Sequence, residues 1–557
     1  EMGSAVVIQN STIRGRIVLN TRAVTSDYLT PAMIFIADDP SNNFREAGLH
    51  ISAREVHLDS KRRFTIVRLA RGLPLSFFNL ELEKVNLTNP LILGSADGDR
   101  MADPPTEYGI VSVNDHSIIS GAIIARNVKA ERLLLYNRGG PLSFVHIDNV
   151  VANYKVTIDP GPTTVLEHFT FQNVASTTHN VLLQYVHVDG PNAFTSIKNV
   201  TAFVSVLIDV LKVTNGATAL LHGIASNQII TCQAWTITGG SAVSLVDVAV
   251  KSAAILIYTF DVLDRSSLAF SNVALPGNQM QLTGARIEVG STLRFSNCTL
   301  HSIQLTKGEL LHGSSLVLED IYIDGVGAAR GLLTVDLDVF NSTIFISGMQ
   351  GAAPSSEAQT GGSISLGGQL IQPQKHTKLR ESRLFVSNST LGDIKMTFKF
   401  QVGMSGNWEY RPITIINSSI IFDSCMFPGG SSTMEIHLDH DAALAREITA
   451  SNSTLDVSGC SNLSATTTIV GNDASTSVWL PPATGWRSVE LDGVVLMTTI
   501  TAVKGAAAAD ALPLELLVLV RTAVPGVLRI EGAEKLRIFR HNLPRSHSSW
   551  KLSREAS

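Results

Sequence analysis

The sequence is short of charge. Lys, Arg, Asp and Glu make up 16% of its 557 residues, and a formal net charge of -5 gives no global field that would draw a nucleic acid. Apolar residues reach 44%, which excludes a disordered chain. Only four cysteines occur, Cys232, Cys298, Cys425 and Cys460, with neither CxxC nor zinc-finger spacing. No charged and apolar leader begins at Glu1. The best candidate for a membrane span, Leu512 to Ile530, is broken by Glu515, Arg521 and Pro525. The first residues already carry the pattern described next, so the chain reads as the continuation of something larger.

What is present is a repeat. Ser291-Thr-Leu-Arg-Phe-Ser-Asn-Cys298 is its clearest copy: a small residue, then apolar residues at every second position, then Asn, Asp or Gly, then an apolar residue. Copies start at 121, 143, 167, 193, 217, 241, 266, 291, 314 and 342, in steps of 22 to 28 residues. Wider steps follow, to Ser382, Ser418 and Ser453. Near-constant steps mark a stacked array. A period of two marks strands and not helices, and the LxxLxLxxN signature of leucine-rich repeats is absent.

One strand face must therefore point inward in every copy. Its first row reads Ile123, Val145, Phe169, Thr195, Ala219, Val243, Leu268, Leu293, Leu316, Ile344. The second reads Ala125, Ile147, Phe171, Ile197, Leu221, Leu245, Phe270, Phe295, Leu318, Ile346. About 24 residues per coil accommodate three short strands and their turns, which predicts an all-β fold, a right-handed parallel β-helix with inserted loops in its later coils. The expected solenoid covers 1–480. It is most regular over 121–348 and looser over 349–480, with an insert at 351–378; an irregular segment, 481–557, ends in a basic tail.

The position after the second apolar residue reads Asn127, Asn149, Asn173, Asn199, Gly223, Asp247, Asn272, Asn297, Asp320, Gly348, Asn388. These residue types tolerate a left-handed backbone at a sharp bend, and stacked amides can bond from coil to coil. The next position is mostly aliphatic and holds Cys298, Cys425 and Cys460, so these three read as interior packing. Cys425 and Cys460 would lie close enough for a disulfide if their coils were adjacent. Nine N-x-[ST] sequons occur, at Asn10, Asn86, Asn199, Asn297, Asn341, Asn388, Asn417, Asn452 and Asn462. Three of them, Asn199, Asn297 and Asn388, fall in the ladder, where a glycan would clash; the others suggest a secreted glycoprotein.

Candidates for chemistry are few. In Glu435-Ile-His-Leu-Asp-His-Asp441, Glu435, His437, Asp439 and Asp441 would share one strand face, a pattern that can suit a divalent cation but more commonly marks an exposed polar face. Catalysis on a β-helix needs several acids converging on one groove. Instead the outward column of the repeat strand reads Ile124, His146, Thr170, Ser196, Leu220, Ser244, Ala269, Arg294. It then turns apolar, through Val317, Phe345, Phe385 and Ile421, where loops such as 351–378 are expected to fold over it. The last 23 residues concentrate base at Lys535, Arg537, Arg540, Arg545, Lys551 and Arg554. No residue is assigned to catalysis, to a cofactor or to a metal.

Serial strands of the type Ser291-Thr-Leu-Arg-Phe-Ser-Asn-Cys-Thr-Leu300, with sequons such as Asn341-Ser-Thr and Asn417-Ser-Ser, resemble the dispersed-gene-family surface proteins of trypanosomatids. More broadly they are similar to pectin-lyase-like β-helix proteins. The resemblance implies a glycosylated, membrane-associated surface protein with an adhesive role, although the chain lacks the great length and membrane spans of such proteins. The expected function is non-enzymatic binding at the cell surface, through the solenoid flank, with host or matrix glycans or proteins as partners and no nucleic acid. Membrane association would require a longer, anchored chain. A carbohydrate-active β-helix enzyme, lyase or glycoside hydrolase, is the alternative.

Overall fold

The computed structural model describes residues 106–323, 332–351, 378–396 and 414–425 without a break, and elsewhere separate strands from Ala5–Gln9 to Lys551–Ser553. The fold is all-β, a right-handed parallel β-helix with coils of about 25 residues. The chain divides into two compact units, Glu1–Asp261 and Val262–Ser557. Both are built by the same rule.

In the first unit, Phe194–Ala202, Ser205–Ile208 and Leu211–Thr214 form one coil. Thr218–Ser226 and Ile229–Ile237 form the next, in register, with Ile197 beside Leu221, Val206 beside Ile230 and Val213 beside Ile237. In the second unit Thr292–Leu311 pairs likewise with Ser315–Ile323 and Leu332–Phe340. Parallel strands lie about 4.8 Å apart, so each side chain rests on its counterpart one coil away. Both predicted inward rows are buried throughout, none of their residues more than 3% exposed. The rings of Phe270 and Phe295 show the effect directly: their centroids are 4.8 Å apart and their planes 6° from parallel.

The first bend is where the asparagines sit. Asn127, Asn149, Asn173, Asn199, Asp247, Asn272, Asn297, Asp320 and Asn388 all have φ between 47° and 54°, and Gly223 and Gly348 have 66°. Amide nitrogens donate from coil to coil: Asn149 to Asn127 Oδ1 at 2.9 Å, Asn199 to Asn173 Oδ1 at 3.0 Å, Asn297 to Asn272 Oδ1 at 2.8 Å. Asn173 reaches instead to Asp148 Oδ1, at 2.9 Å. Gly223 interrupts the ladder, and a Cβ there would come within 3.0 Å of Asn199 Oδ1.

A second ladder runs through the small residue that opens each copy. In the second unit Ser266, Ser291, Ser314, Ser342, Ser382 and Ser418 are buried. Each of the first five donates its backbone N–H to the hydroxyl of the next, at 3.1 to 3.4 Å. The hydroxyls of Ser291, Ser342 and Ser382 donate in turn to carbonyls of Glu288, Phe340 and Arg380 at 2.6 to 2.8 Å. In the first unit Ser241 accepts from Gly216 N and donates to Thr238 O. The hydroxyl thus satisfies a buried amide that the corner would otherwise strand. The residue before each of these serines is left-handed as well: Gly240, Arg265, Gly290, Gly313, Asn341, Glu381 and Asn417 have φ of 45° to 79°. Val289 joins them at 56°, an unfavourable conformation for a β-branched residue.

The longer steps have a structural cause. Between Leu391–Met396 and Thr414–Ile416 the chain inserts an antiparallel hairpin, Phe398–Val402 with Asn407–Arg411. Within 351–378 the strand Gly362–Leu366 pairs as part of a coil, and most of the remainder lies outside the described residues. Parallel pairing also runs on past residue 480, through Ser488–Asp492, Leu514–Val520 and Ala533–Phe539.

Cys298 and Cys425 face the interior column as expected and donate weakly to Ser296 O and Asp423 O, at 3.4 and 3.5 Å. Cys232 is buried too. Burial pushes the Cys298 thiol up to about 11 and raises that of Cys232 as well, so neither is a nucleophile at neutral pH. The pairing of Cys425 with Cys460 lies outside the described residues. Among the described residues no helix is long and apolar enough to cross a membrane.

Two stability measurements test the corners. Ser314→Ala orphans the Ser291 amide and should cost about 1–3 kcal/mol in urea unfolding; a change under about 0.5 kcal/mol would sink the ladder. Val289→Asn should instead stabilise by about 1 kcal/mol, because Asn accepts the left-handed conformation.

Candidate functional site

Alternation leaves the other face of each repeat strand outward. In the first unit, strands Leu142–Asp159, His168–Ser176 and Phe194–Ala202 put three columns there: Phe144, His168 and Phe194; His146, Thr170 and Ser196; Asp148, Gln172 and Lys198. Phe144 and Phe194 are 36% and 39% exposed, high for such large apolar side chains. The His168 ring lies 4.5 Å from that of Phe194, tilted by 35°. His168 Nδ1 is buried without a hydrogen-bond partner. Three coils and three columns span roughly 10 by 14 Å. The result is a flat patch, aromatic along one edge and rich in hydroxyl, amide and charged groups beside it.

The second unit uses the same columns differently. Val317, Phe345, Phe385 and Ile421 form the expected apolar strip and are half-buried. Phe345 and Phe385 stack at 5.5 Å, and the Arg383 guanidinium lies 5.3 Å over Phe385. Beside the strip runs an open groove of about 510 Å³, lined by Asn341, Thr343, Glu381, Arg383, Asn417 and Ser419 together with ladder serines and Gly313. It lies where the repeat spacing lengthens. Most of the loop expected to cover the strip is outside the described residues.

Two carboxylates share a column on a different strand, one that the repeat motif does not contain. Ile158, Leu183 and Ile208 pair in register, so Asp159, Gln184 and Asp209 follow in one column. Gln184 Nε2 donates to Asp209 Oδ2 at 3.1 Å, and Asp159 Oδ1 accepts from Gly161 N at 2.9 Å. Burial raises the Asp159 carboxyl above the ordinary range; Gly161 N–H opposes the shift, and Asp209 and Asp115 add to it. Nearby in sequence, burial and Lys212 lower the His187 imidazole. Asp189 is held low by its bond from the Thr214 hydroxyl, with Asn215 adding a second donor at 2.7 Å.

The remaining sequence candidates separate cleanly. Asn199 and Asn297 spend their amide nitrogens in the ladder. Asn388 occupies a ladder position between Gly348 and Ser424, with no amide on either side to bond. Asn341 and Asn417 sit at the other bend, exposed. Glu435 and His437 lie on the strand Met434–Leu438, but their side chains, with Asp439 and Asp441, are outside the described residues, as are the side chains of the basic tail. Among the described residues no three His, Cys, Asp or Glu side chains are grouped to hold a metal.

No family model matches the chain, nor is any curated protein or solved structure found similar to it.

The raised Asp159 carboxyl gives a pH signature. Its neutral form is favoured on folding, so its contribution is fully present in acid and is lost as pH rises through the folded value. Asp159→Asn should leave thermal stability unchanged near pH 3 and raise it near pH 7. Equal effects at both pH values would contradict burial of the carboxyl.

Proposed function

We propose that the protein is a non-enzymatic, extracellular or cell-surface binding protein that contacts glycans or proteins through the outer face of its repeat strands, an adhesive role of the kind its resemblance to trypanosomatid surface proteins implies. The observation that carries this reading is the patch between Phe144 and Phe194. An aromatic edge receives the apolar face of a sugar ring or an apolar side chain. The adjacent His146, Thr170, Ser196, Gln172 and Lys198 offer donors and acceptors within a few ångströms for hydroxyls or peptide groups. A rigid sheet holds them at fixed spacing, so little entropy is lost on binding.

The test is a Phe144→Ser, Phe194→Ser double variant, assayed on a glycan array and on intact cells. These side chains are already exposed, so the circular dichroism and melting point should hold while binding falls at least tenfold. Binding that is unchanged in the folded variant would move the contact elsewhere or remove it.

The second reading, a carbohydrate-active enzyme, draws on Asp159 and Asp209. They stand two coils apart, about 10 Å at the backbone. Inverting glycosidases hold their carboxyls about 6.5–9.5 Å apart and use a raised acid as proton donor. Against it, Gln184 stands between the two and binds Asp209, and the binding reading is preferred.

A further inference from the structure

Two sequon asparagines share one corner of the second unit. Thr343, Arg383 and Ser419 pair in register, so Asn341, Glu381 and Asn417, each two residues earlier, form a column of left-handed bends. Asn341 and Asn417 are exposed and about 10 Å apart, one coil being interposed. Both open onto the 510 Å³ groove. The hydroxyl residue that each sequon requires, Thr343 or Ser419, lines the same groove. Among the described residues the Asn341 side-chain amide makes no hydrogen bond.

The ladder sequons differ in the one atom that matters. Nδ2 of Asn199 and of Asn297 donates to the amide oxygen one coil away, at 3.0 and 2.8 Å. Both residues are exposed as well, but a sugar on that nitrogen would replace one of its two hydrogens and crowd the neighbouring side chain about 4.8 Å away, in competition with the coil-to-coil bond. What sets these two apart from Asn341 is therefore the engaged amide nitrogen, not burial.

We infer that Asn341 and Asn417 are N-glycosylation sites and that their glycan stems fill the groove beside the Phe345–Phe385 strip, while Asn199 and Asn297 stay unmodified. Asn388 does not line the groove and is outside this claim. The chemistry is group transfer from a polyprenyl-diphosphate-linked oligosaccharide. The bond from Nδ2 to the sugar C1 forms, the C1–O bond to diphosphate breaks with its electron pair leaving on oxygen, and one amide proton is lost. The apolar faces of the first sugars can then lie along Phe345 and Phe385 and shield them from water.

This inference rests on the secretory reading given above, and the experiment separates the two. Protein isolated from its native cells is deglycosylated in heavy-oxygen water, which marks every occupied Asn as labelled Asp for peptide mass spectrometry. Label at Asn341 and Asn417, with none at Asn199 and Asn297, is expected. Label at Asn199 or Asn297, or a bare Asn341 or Asn417, overturns the assignment and leaves a secreted glycoprotein standing. Nine bare sequons overturn both. As a check through variants, Asn341→Gln with Asn417→Gln should lose two glycan mass increments and keep its circular dichroism, whereas Asn297→Gln should lose none.

Discussion

A coil that reverses direction every few residues must do so without stranding a buried amide or carbonyl, and this constraint shapes the protein. Left-handed corners solve the geometry, and side-chain ladders solve the hydrogen bonding. At one corner the Asn amides bond from coil to coil; at another a buried serine hydroxyl accepts an N–H from one coil and donates to a carbonyl of its own turn. Unsatisfied, each such amide would cost about 1–3 kcal/mol, as much as a buried aliphatic side chain contributes. The inward columns of Leu, Ile, Val and Phe supply the driving force, and the corners decide whether it can be collected in register.

That register is what makes an outer face available. Once the inward columns and these two ladders are fixed by packing and hydrogen bonding, the outward columns are free to vary, and they do. The first unit places Phe144 and Phe194 in one column, the second places Phe345 and Phe385 in its neighbour. Rigid parallel strands hold these rings and their polar companions at fixed spacing, which suits recognition of an extended partner. Among the described residues, by contrast, Asp159 and Asp209 share a column of another strand with an amide between them.

Much of this was legible in the sequence, because stacking converts sequence period directly into spatial columns. The inward rows, the left-handed positions from Asn127 to Asn388 and the interior placement of Cys298 and Cys425 follow from a period of two and a step near 24. In the sequence the serine ladder shows only as the small residue that opens each copy, and the run of Ser from 241 to 418 is its signal. The corner before each serine left no such trace. Gly, Arg, Asn and Glu all occupy it, because the serine hydroxyl and not the corner side chain supplies the hydrogen bond. Asp159, Gln184 and Asp209 were missed because they lie on a strand outside the aligned motif, where variable spacing hides the column. The hairpin Phe398–Arg411 was hidden for a related reason: an insertion leaves only a longer step, with nothing to say how the extra chain folds.

The central claim is that the corners are as firmly bonded as the strands they join. Amide hydrogen exchange, resolved to single residues by fragmentation mass spectrometry, tests it most directly. The account predicts that the amides of Ser266, Ser291, Ser314 and Ser342, at turn positions, exchange as slowly as those of Leu268, Leu293, Leu316 and Ile344 in the strands. Corner amides that exchange at the rate of an exposed loop, while the strands stay protected, would contradict it.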